Sequence, residues 1–552
     1  MPVSRKDGFG TAGVYEVAIV GAGPVGLTLA IALAQFGVSV ALLDEGNLKK
    51  EGSRAICFSK RSLEIFGRLG VVEPMLEKGV EWNVGRIYYK DKEIDCFTLS
   101  PERYSKYPAF INLQQYYVEK FLEEAAGKER NVEIRRMHKV FGLEMPVLGD
   151  GQPAGHVKLN VLSPNGECEL KAKFVIACDG SKSTIRQLMG LEMRGERFEE
   201  RFLITDFIMA DGFPPERRFW FDPPFAPGQS VLMHKQPDDC WRLDFKLGKS
   251  ADNTLANDHA FIREKIKNVV GDRPFEIAWA SIYSFSNKML EKFVHGAVIF
   301  AGDAAHVLSP FGARGANSGI EDADNLAWKL AQVIKSGAPA SLLQTYDRER
   351  TIAARQNITF TNHSAAFIAP PSAGGLNIRN QILEKAATEA SAKKQINCGR
   401  LSTPAVYGKI HGSENGDWQN TALQPGNAVK DCFFNSGRDY LIDHLDNHFT
   451  IICLRGSLTQ NDKDALAALD VKIVEIDGET SPVFLDLYEL SQFAAYLVTP
   501  DLYVLGRWKN FAALDAVTLI GRYISGEGFL PGDVPQSEQG LIDEEMFRRI
   551  TS

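Results

Sequence analysis

Residues 17–43 carry no charged side chain, and this stretch constrains the fold more than any other part of the chain. It is long enough to cross a bilayer, but Gly-Ala-Gly-Pro-Val-Gly at 21–26 interrupts it. The pattern predicts strands over 15–20 and 38–43 with a helix over 27–36 between them. The short crossover implies parallel pairing, as in an α/β fold. A membrane span is not expected, because the glycines and proline break the run. A signal peptide is not expected either, because no small-residue cleavage site follows the apolar run.

The glycine-rich turn has the spacing of a dinucleotide-binding motif. Gly21 permits the tight turn, Gly23 lets the backbone approach a pyrophosphate, and Gly26 lets the helix pack on the strand. Pro24 belongs to the same cofactor-binding motif, and the N-terminal dipole of the helix that follows favours an anion such as the diphosphate. Asp44 ends the second strand, where it can accept hydrogen bonds from ribose hydroxyls. The motif alone does not separate FAD from NAD, and a structural glycine turn is the alternative.

Two further loops follow apolar segments and open helices. The first, Cys-Asp-Gly-Ser-Lys-Ser-Thr-Ile-Arg at 178–186, contains Asp179; taken alone it is more typical of a capped structural turn. The second combines Gly-Asp-Ala-Ala-His at 302–306 with Pro-Phe-Gly-Ala-Arg-Gly-Ala-Asn at 310–317. Asp303 can reach a ribose or ribityl hydroxyl there. Backbone N–H groups of the glycine-rich run suit a ligand carbonyl or a developing anion.

Composition excludes several classes of protein. The 552 residues include 62 Lys and Arg against 70 Asp and Glu, a net charge of -8, whereas a general nucleic-acid binder needs a basic face. The eight cysteines are widely spaced and form no C-x-x-C pair, which is typical of reduced thiols in the cytoplasm. No cluster has metal-ligand spacing, so no metal is expected.

The order of these motifs resembles that of the FAD-dependent aromatic hydroxylases, the class A single-component flavoprotein monooxygenases. Residues 310–330, PFGARGANSGIEDADNLAWKL, are most similar to the 3-(3-hydroxyphenyl)propionate hydroxylase-like branch, and residues 221–245 share that likeness. The resemblance covers residues 15–365. More weakly, residues 425–525 resemble the thioredoxin-like C-terminal domain of the phenol hydroxylases, which normally lacks redox cysteines.

The resemblance implies an α/β protein with three domains and an arm. A discontinuous Rossmann-like FAD-binding domain would comprise residues 15–200 and 286–365. Residues 201–285, where aromatic residues alternate with polar ones, would form an inserted antiparallel β-sheet domain that binds substrate. Residues 366–424 would be a connecting helical arm, and residues 425–530 a thioredoxin-like domain without C-x-x-C.

Family roles transfer to the cofactor positions of this chain. The glycines of the first motif would hold the FAD diphosphate, and Asp44 would bind the adenosine ribose. Arg54, in SRAICFSKRSLEIF, and Gln115, in QYYVE, match family residues near the cofactor and its ribityl chain. Asp179 would contact FAD and the pyridine nucleotide. Asp303 would bind ribityl or ribose hydroxyls.

The resemblance also places residues beside the flavin ring. Gly315, Ala316 and Asn317 would contact the isoalloxazine, where their backbone N–H groups favour negative charge near its N1 and C2 carbonyl. Pro310 would border the substrate, with Phe311 next to it.

Three positions depart from the family pattern or carry open alternatives. Ile56 stands where the phenol-hydroxylase branch has an aspartate, so that base is absent. Arg314 interrupts the usual Gly-x-Gly; it would neutralise flavin or substrate charge, or point to solvent. His306 is a candidate base, although a histidine at a strand end is more often a structural hydrogen-bonding residue. No W-x-W-x-I-P stretch occurs, which disfavours a flavin halogenase.

Candidate substrate contacts lie on the strands of the predicted sheet. His234 would face the pocket, or be a satisfied or exposed histidine. Phe219 belongs to an aromatic set that is more often core than pocket lining. Arg242 would pair with a substrate carboxylate, or form a surface salt bridge.

The resemblance implies hydroxylation of a phenolic compound. NADH or NADPH would reduce FAD, O2 would add to form a flavin C4a-hydroperoxide, and the phenol would attack its distal oxygen. A flavin dehydrogenase or oxidase without oxygen insertion is one alternative, and a non-catalytic flavin-bearing scaffold is another. We expect a homodimer that binds a small phenol, with neither nucleic acid nor membrane as partner.

Overall fold

The computed structural model describes residues 13–47, 55–99, 104–145, 155–210, 212–249, 251–397, 401–437, 439–527 and 544–551. The strands of the first two hundred residues are β1 (Val14–Val20), β2 (Val40–Asp44), β3 (Cys57–Ser59), β4 (Val80–Glu81), β5 (Val84–Tyr89), β6 (Lys92–Thr98), β7 (Phe110–Asn112), β8 (Val132–Arg136), β9 (Lys139–Glu144), β10 (Val157–Ser163), β11 (Gly166–Ala177) and β12 (Arg194–Ile208). Those that follow are β13 (Arg217–Phe221), β14 (Ser230–Lys235), β15 (Cys240–Gly248), β16 (Glu276–Met289), β17 (Val294–His295), β18 (Val298–Phe300), β19 (His306–Val307), β20 (Glu414–Asn415), β21 (Phe433–Phe434), β22 (Asp439–Tyr440), β23 (Thr450–Leu454), β24 (Lys472–Ile476), β25 (Ala495–Val498) and β26 (Val504–Trp508). The helices are α1 (Pro24–Gln35), α2 (Lys60–Arg68), α3 (Glu73–Lys78), α4 (Gln115–Ala126), α5 (Thr184–Leu188), α6 (His259–Val270), α7 (Gly315–Lys335), α8 (Leu342–Ile368), α9 (Ala373–Ala386), α10 (Ala390–Gln395), α11 (Gln460–Ala467), α12 (Pro482–Tyr488), α13 (Ala513–Ser525) and α14 (Glu544–Thr551).

A parallel sheet organises the first half of the fold. Its main path runs β17-β18-β11-β1-β2-β8, and β18, β11, β1, β2 and β8 are all parallel to one another. β2 is buried along its whole length and α1 is almost continuously buried, as expected for elements covered on both faces. The strand, helix and strand predicted from the uncharged stretch are therefore confirmed.

A second eight-stranded sheet is largely antiparallel and runs β19-β16-β12-β15-β14-β13-β5-β6. Successive side chains along each strand point to opposite faces of the sheet. The apolar side chains of one face surround Trp241 and pack against α6. The opposite face turns toward the loop before α7, where Phe311 packs on Phe202 and Phe285. The sheet extends beyond the predicted segment 201–285, because β5 pairs in parallel with β13 and brings β6 with it.

The C-terminal unit is a smaller mixed sheet in the order β20-β26-β25-β23-β24, accompanied by α11, α12 and α13. It docks on α7 through buried polar contacts. The Asp501 carboxylate accepts hydrogen bonds from the Asn325 amide at 2.6 Å and from the Trp328 indole at 3.1 Å. Among the described residues, none of the helices combines the length and apolar character needed to cross a bilayer.

Candidate active site

The parallel sheet brings the three sequence motifs into one row. Its register places Val20 beside Ala177, and Ala177 beside Phe300, at the carboxyl ends of β1, β11 and β18. Ligands of open α/β sheets bind outside this edge. We call the loops that follow, residues 21–26, 178–186 and 302–306, together with residues 310–317, the floor of the site. Motifs separated by more than a hundred residues in sequence are therefore neighbours in the fold.

The glycines of the first loop differ in what surrounds them. Gly21 has a φ of +104°, and a Cβ there would lie 2.3 Å from the Cys178 carbonyl oxygen. A Cβ on Gly26 would lie 1.9 Å from the Gly21 carbonyl oxygen. A Cβ on Gly23, by contrast, would meet nothing within 4 Å. Two glycines are thus required by the protein itself, and the third borders open space at the N-terminus of α1, which fits a bound diphosphate.

Asp44 lies beside this loop and is buried. Its carboxylate accepts hydrogen bonds from the Ala22 and Gly46 backbone N–H groups, each at 2.8 Å, and lies 3.5 Å from the Arg136 guanidinium. A carboxylate has about four acceptor positions. Asp44 therefore keeps the capacity to accept a ribose hydroxyl.

The second and third loops each present a carboxylate. Asp179 accepts a hydrogen bond from the Ile185 N–H at 3.1 Å, while its buried Oδ1 has no hydrogen-bond partner in the described structure. Burial raises the pKa of Asp179. Asp303 is partly buried in a short 3₁₀ turn, Gly302–Ala304. An unsatisfied buried oxygen in this row fits a polar ligand such as FAD.

The N-terminus of α7 completes the floor. Gly315 and Ala316 are partly exposed, and a Cβ on Gly315 would meet nothing within 4 Å. The first N–H groups of a helix have no partner within it, so they can face a ligand. Asn317 is buried, and its side-chain amide contacts the Ser59 N–H, the Ser62 hydroxyl, the Cys57 carbonyl and the Ala313 carbonyl. Its side chain therefore fixes α7 to β3 and α2.

Close packing of small residues sets the position of α7 over the first loop. A Cβ on Gly319 would lie 2.6 Å from Val25 Cγ2 and 3.1 Å from the Gly302 Cα. A Cβ on Gly302 would also touch Val25, at 2.9 Å. The sequence analysis did not identify a role for Gly319. The available signal was its spacing of four residues from Gly315, because this spacing puts both glycines on one helix face.

Asp322, also missed, anchors the third loop from beneath. Its carboxylate accepts hydrogen bonds from the Gly302 N–H at 2.9 Å and from Arg350 Nε at 2.6 Å, and it lies 2.7 Å from His306 Nε2. Burial alone would raise the pKa of Asp322, but His306 and Arg350 outweigh it and hold the pKa at about 2. His306 is wholly buried in this contact. Its catalytic role stays a prediction, and the contact itself is a structural one.

Arg314 is buried rather than pointing to solvent. Its guanidinium donates to the Asn357 side-chain oxygen at 2.7 Å and to the Leu401 carbonyl at 3.0 Å, and lies 4.3 Å from the centre of the Phe360 ring. These contacts hold the start of α7 against α8.

The loop before α7 reaches the antiparallel sheet. Pro310 is exposed, whereas Phe311 is buried edge-on against Phe202 and Phe285, with ring centres 5.4 and 5.7 Å apart. The floor and the sheet therefore meet at Phe311, and a ring bound between them would lie beside this contact.

We call the sheet face that carries Phe219, His234, Arg242 and Asp244 the roof of the site. Phe219 is buried against Phe221. Burial lowers the pKa of His234 well below its ordinary value, so the imidazole is neutral. The Arg242 guanidinium binds both oxygens of Asp206, at 2.7 and 2.8 Å, in a buried pair rather than at the surface.

Asp244 is a roof residue that sequence reasoning missed. It is partly buried and its Oδ1 wholly so. Burial raises its pKa to about 7. The charges of Asp244 and Arg242 act on the Cys57 thiol, so this part of the roof lies near β3. Alternation of polar residues along β15 was the only available signal.

Gln115, another cofactor candidate, lies near β3. Gln115 accepts a hydrogen bond from the Ala55 N–H at 3.2 Å and donates to Glu119 at 2.8 Å, which places it against the segment before β3. Ile56 is buried in that segment. Arg54 lies outside the described residues.

The chain is similar in sequence to known proteins. The family model of an FAD binding domain matches residues 14–361. A probable NADH-specific resorcinol 4-hydroxylase of Rhodococcus jostii is 31% identical over 532 residues, covering 90% of this chain and 93% of that protein. A 3-(3-hydroxy-phenyl)propionate/3-hydroxycinnamic acid hydroxylase of Mycolicibacterium gilvum is 26% identical, covering 84% of this chain and 80% of that protein.

The crystal structure of the flavin-dependent monooxygenase PieE in complex with FAD and substrate has the same fold. It superposes with a TM-score of 0.78 at 21% identity, covering 93% of this chain and 99% of that chain. The motif row, the family model and the two curated relatives agree, and the chain belongs to the FAD-dependent aromatic hydroxylases, the class A flavoprotein monooxygenases.

Proposed function

We propose that this protein inserts one oxygen atom into a phenolic ring, using FAD, O2 and either NADH or NADPH. The observation that carries the proposal is that the floor, which contains the glycine-rich motif, meets the antiparallel sheet at Phe311. FAD, when bound, supplies the redox chemistry: it takes a hydride equivalent from the nicotinamide and activates O2. The protein supplies binding, orientation and exclusion of water.

The floor residues would hold the cofactor. Gly23 and the start of α1 suit the diphosphate because that backbone borders open space. Asp44 retains acceptor capacity for the adenosine ribose, and Asp179 has a buried unsatisfied oxygen. Asp303 would bind ribityl hydroxyls, and the N–H groups of Gly315 onward would face the isoalloxazine.

The roof residues would hold the ring. Phe219 and Phe311 would line an apolar enclosure with Pro310 at its margin, and the neutral His234 would contact the ring substituents. Such an enclosure excludes water and strengthens polar interactions within it. The Arg242–Asp206 pair shapes the roof, because each partner is occupied by the other.

Two features outside the site complete the proposal. Only one glycine-rich dinucleotide motif occurs, which supports a nicotinamide cofactor that binds transiently. We infer a thioredoxin-like C-terminal domain, supported by a mixed sheet in which β23 and β24 are parallel and β25 and β26 antiparallel. A homodimer is our proposal for the assembly.

The experiment is oxidation of NADH and of NADPH by the purified yellow protein against a panel of phenols, with product masses. Stimulated oxidation with a gain of one oxygen supports the proposal. Stimulation that yields only hydrogen peroxide means that the phenol tested is not the substrate. An oxidised product without added oxygen would favour a dehydrogenase or oxidase instead.

A further inference from the structure

In the part of the chain that the structure describes, two buried polar atoms of the roof form no hydrogen bond. Asp244 Oδ1 and His234 Nδ1 are buried, and neither has a hydrogen-bond partner in the described structure. An unsatisfied buried polar atom costs about 1–3 kcal/mol. Native proteins contain few of them, and those that occur call for a ligand, a water or an ion.

Strand register places these groups together. Phe219, Leu232 and Asp244 lie side by side on β13, β14 and β15, and His234 lies opposite Arg242 in the adjacent row. His234 and Asp244 are therefore diagonal neighbours on one face, with Cα atoms about 7–8 Å apart. Both side chains therefore lie on the sheet face that carries Phe219.

The charges around them are already balanced. Arg242 is neutralised by Asp206 through two hydrogen bonds. Arg217, the other cation of the cluster, is buried and acts electrostatically on both His234 and Asp244. When Asp244 is ionised and His234 is neutral, the two arginines are balanced by the carboxylates of Asp206 and Asp244. A substrate carboxylate would add an uncompensated buried negative charge, which is costly.

We propose that Asp244 accepts a hydrogen bond from a substrate hydroxyl and His234 binds a second polar substituent of the same ring. The roof thereby selects neutral rings bearing two hydroxyl groups over rings that carry a carboxylate. The proposal rests on the proposed function and assigns a specificity to its site.

Asp244 is also placed to take the phenolic proton. Burial and Asp206 raise its pKa to about 7, although Arg242 opposes them, so it ionises near neutral pH. The O–H bond of the substrate breaks, the proton passes to Asp244 Oδ1, and the electron pair stays on the phenolate oxygen. This supplies the base that Ile56 cannot provide.

The test is titration of the FAD-loaded protein with resorcinol and with 3-(3-hydroxyphenyl)propionate, followed by flavin absorbance. In the parent protein, resorcinol should bind at least about tenfold more tightly than the propionate. Asp244→Asn should weaken resorcinol binding about tenfold and abolish its rise between pH 6 and 8, because the variant cannot ionise. The flavin content should not change.

Asp95→Asn is the matched control. Asp95 lies on β6 in the row of Phe219 and Asp244, at the sheet edge, where it already pairs with Lys393 at 3.4 Å. Its replacement should leave both affinities unchanged.

Equal or tighter binding of the propionate, or an unchanged resorcinol affinity in Asp244→Asn, would overturn the assignment while leaving hydroxylation intact. If Asp244→Asn does not fold, the comparison of the two ligands and the pH profile of the parent decide. Failure of every phenol to be oxygenated would instead contradict the proposed function.

Discussion

Two aspartates, one beneath the floor and one on the roof, lie in opposite environments. Asp322, beneath the floor, has three hydrogen-bonded partners, and its pKa is held at about 2. Among the described residues, Oδ1 of Asp244 on the roof has no hydrogen-bond partner, and burial raises the pKa of Asp244 to about 7. The satisfied carboxylate holds backbone and helices in place, whereas the unsatisfied one is available to a ligand. The contrast therefore separates an aspartate with a structural role from one suited to bind a ligand.

The largest expected effect is on the floor. Asp322→Ala removes the carboxylate that Arg350 Nε, His306 Nε2 and the Gly302 N–H contact. Removal of one partner from a buried ion pair typically costs about 3–5 kcal/mol. We expect a loss of that size in the free energy of urea unfolding, together with loss of FAD. Asp244→Asn at pH 5, where Asp244 is protonated, should change stability by less than about 1 kcal/mol; equal effects of the two changes would contradict the comparison.

The second effect is the pH dependence of stability. The pKa of Asp244 rises from 3.8 to about 7 on folding, so the folded state retains a proton that the unfolded state releases. Stability contributed by this group therefore falls as pH rises from about 4 to about 7, by as much as about 4 kcal/mol. Urea unfolding across this range should show a fall in the parent relative to Asp244→Asn. Parallel curves for the two proteins would mean that Asp244 ionises normally.

The third prediction tests whether the FAD diphosphate lies in the open space beside Gly23. Gly23→Ala adds a methyl group that meets no protein atom within 4 Å, so the apoprotein should lose less than about 1 kcal/mol. If the diphosphate lies there, FAD affinity should fall about tenfold to a hundredfold, as measured by fluorescence titration of the apoprotein. An unchanged affinity would place the diphosphate elsewhere.

The smallest effect concerns Asp303. Asp303→Ala should weaken FAD binding about tenfold, or about 1.4 kcal/mol, through loss of a hydroxyl contact. Asp303→Asn keeps an acceptor oxygen and should retain more of the cofactor. An unchanged ratio of flavin to protein after gel filtration of Asp303→Ala would refute this role.

Local signals in the sequence predicted the floor well. The glycine spacing and the uncharged stretch gave β1, α1 and β2 to within a few residues, because turn geometry and continuous burial are local properties. The parallel register then aligned the loops that carry Asp179 and Asp303 with the first motif.

The roof was less accessible to sequence reasoning. The position of Asp244 depends on strand pairing, and its environment depends on the Arg242–Asp206 ion pair. No local sequence pattern reveals either. The pairing of β5 with β13 is likewise long-range. Asp322 of α7 accepts a hydrogen bond from Arg350 of α8. Its role therefore depends on tertiary packing, which the sequence alone did not reveal.

The most direct test of the central claim is turnover of resorcinol under oxygen-18 gas, with mass analysis of the product. We predict a product that carries one additional oxygen atom derived from O2. A product without added oxygen, or one whose new oxygen comes from water, would contradict it.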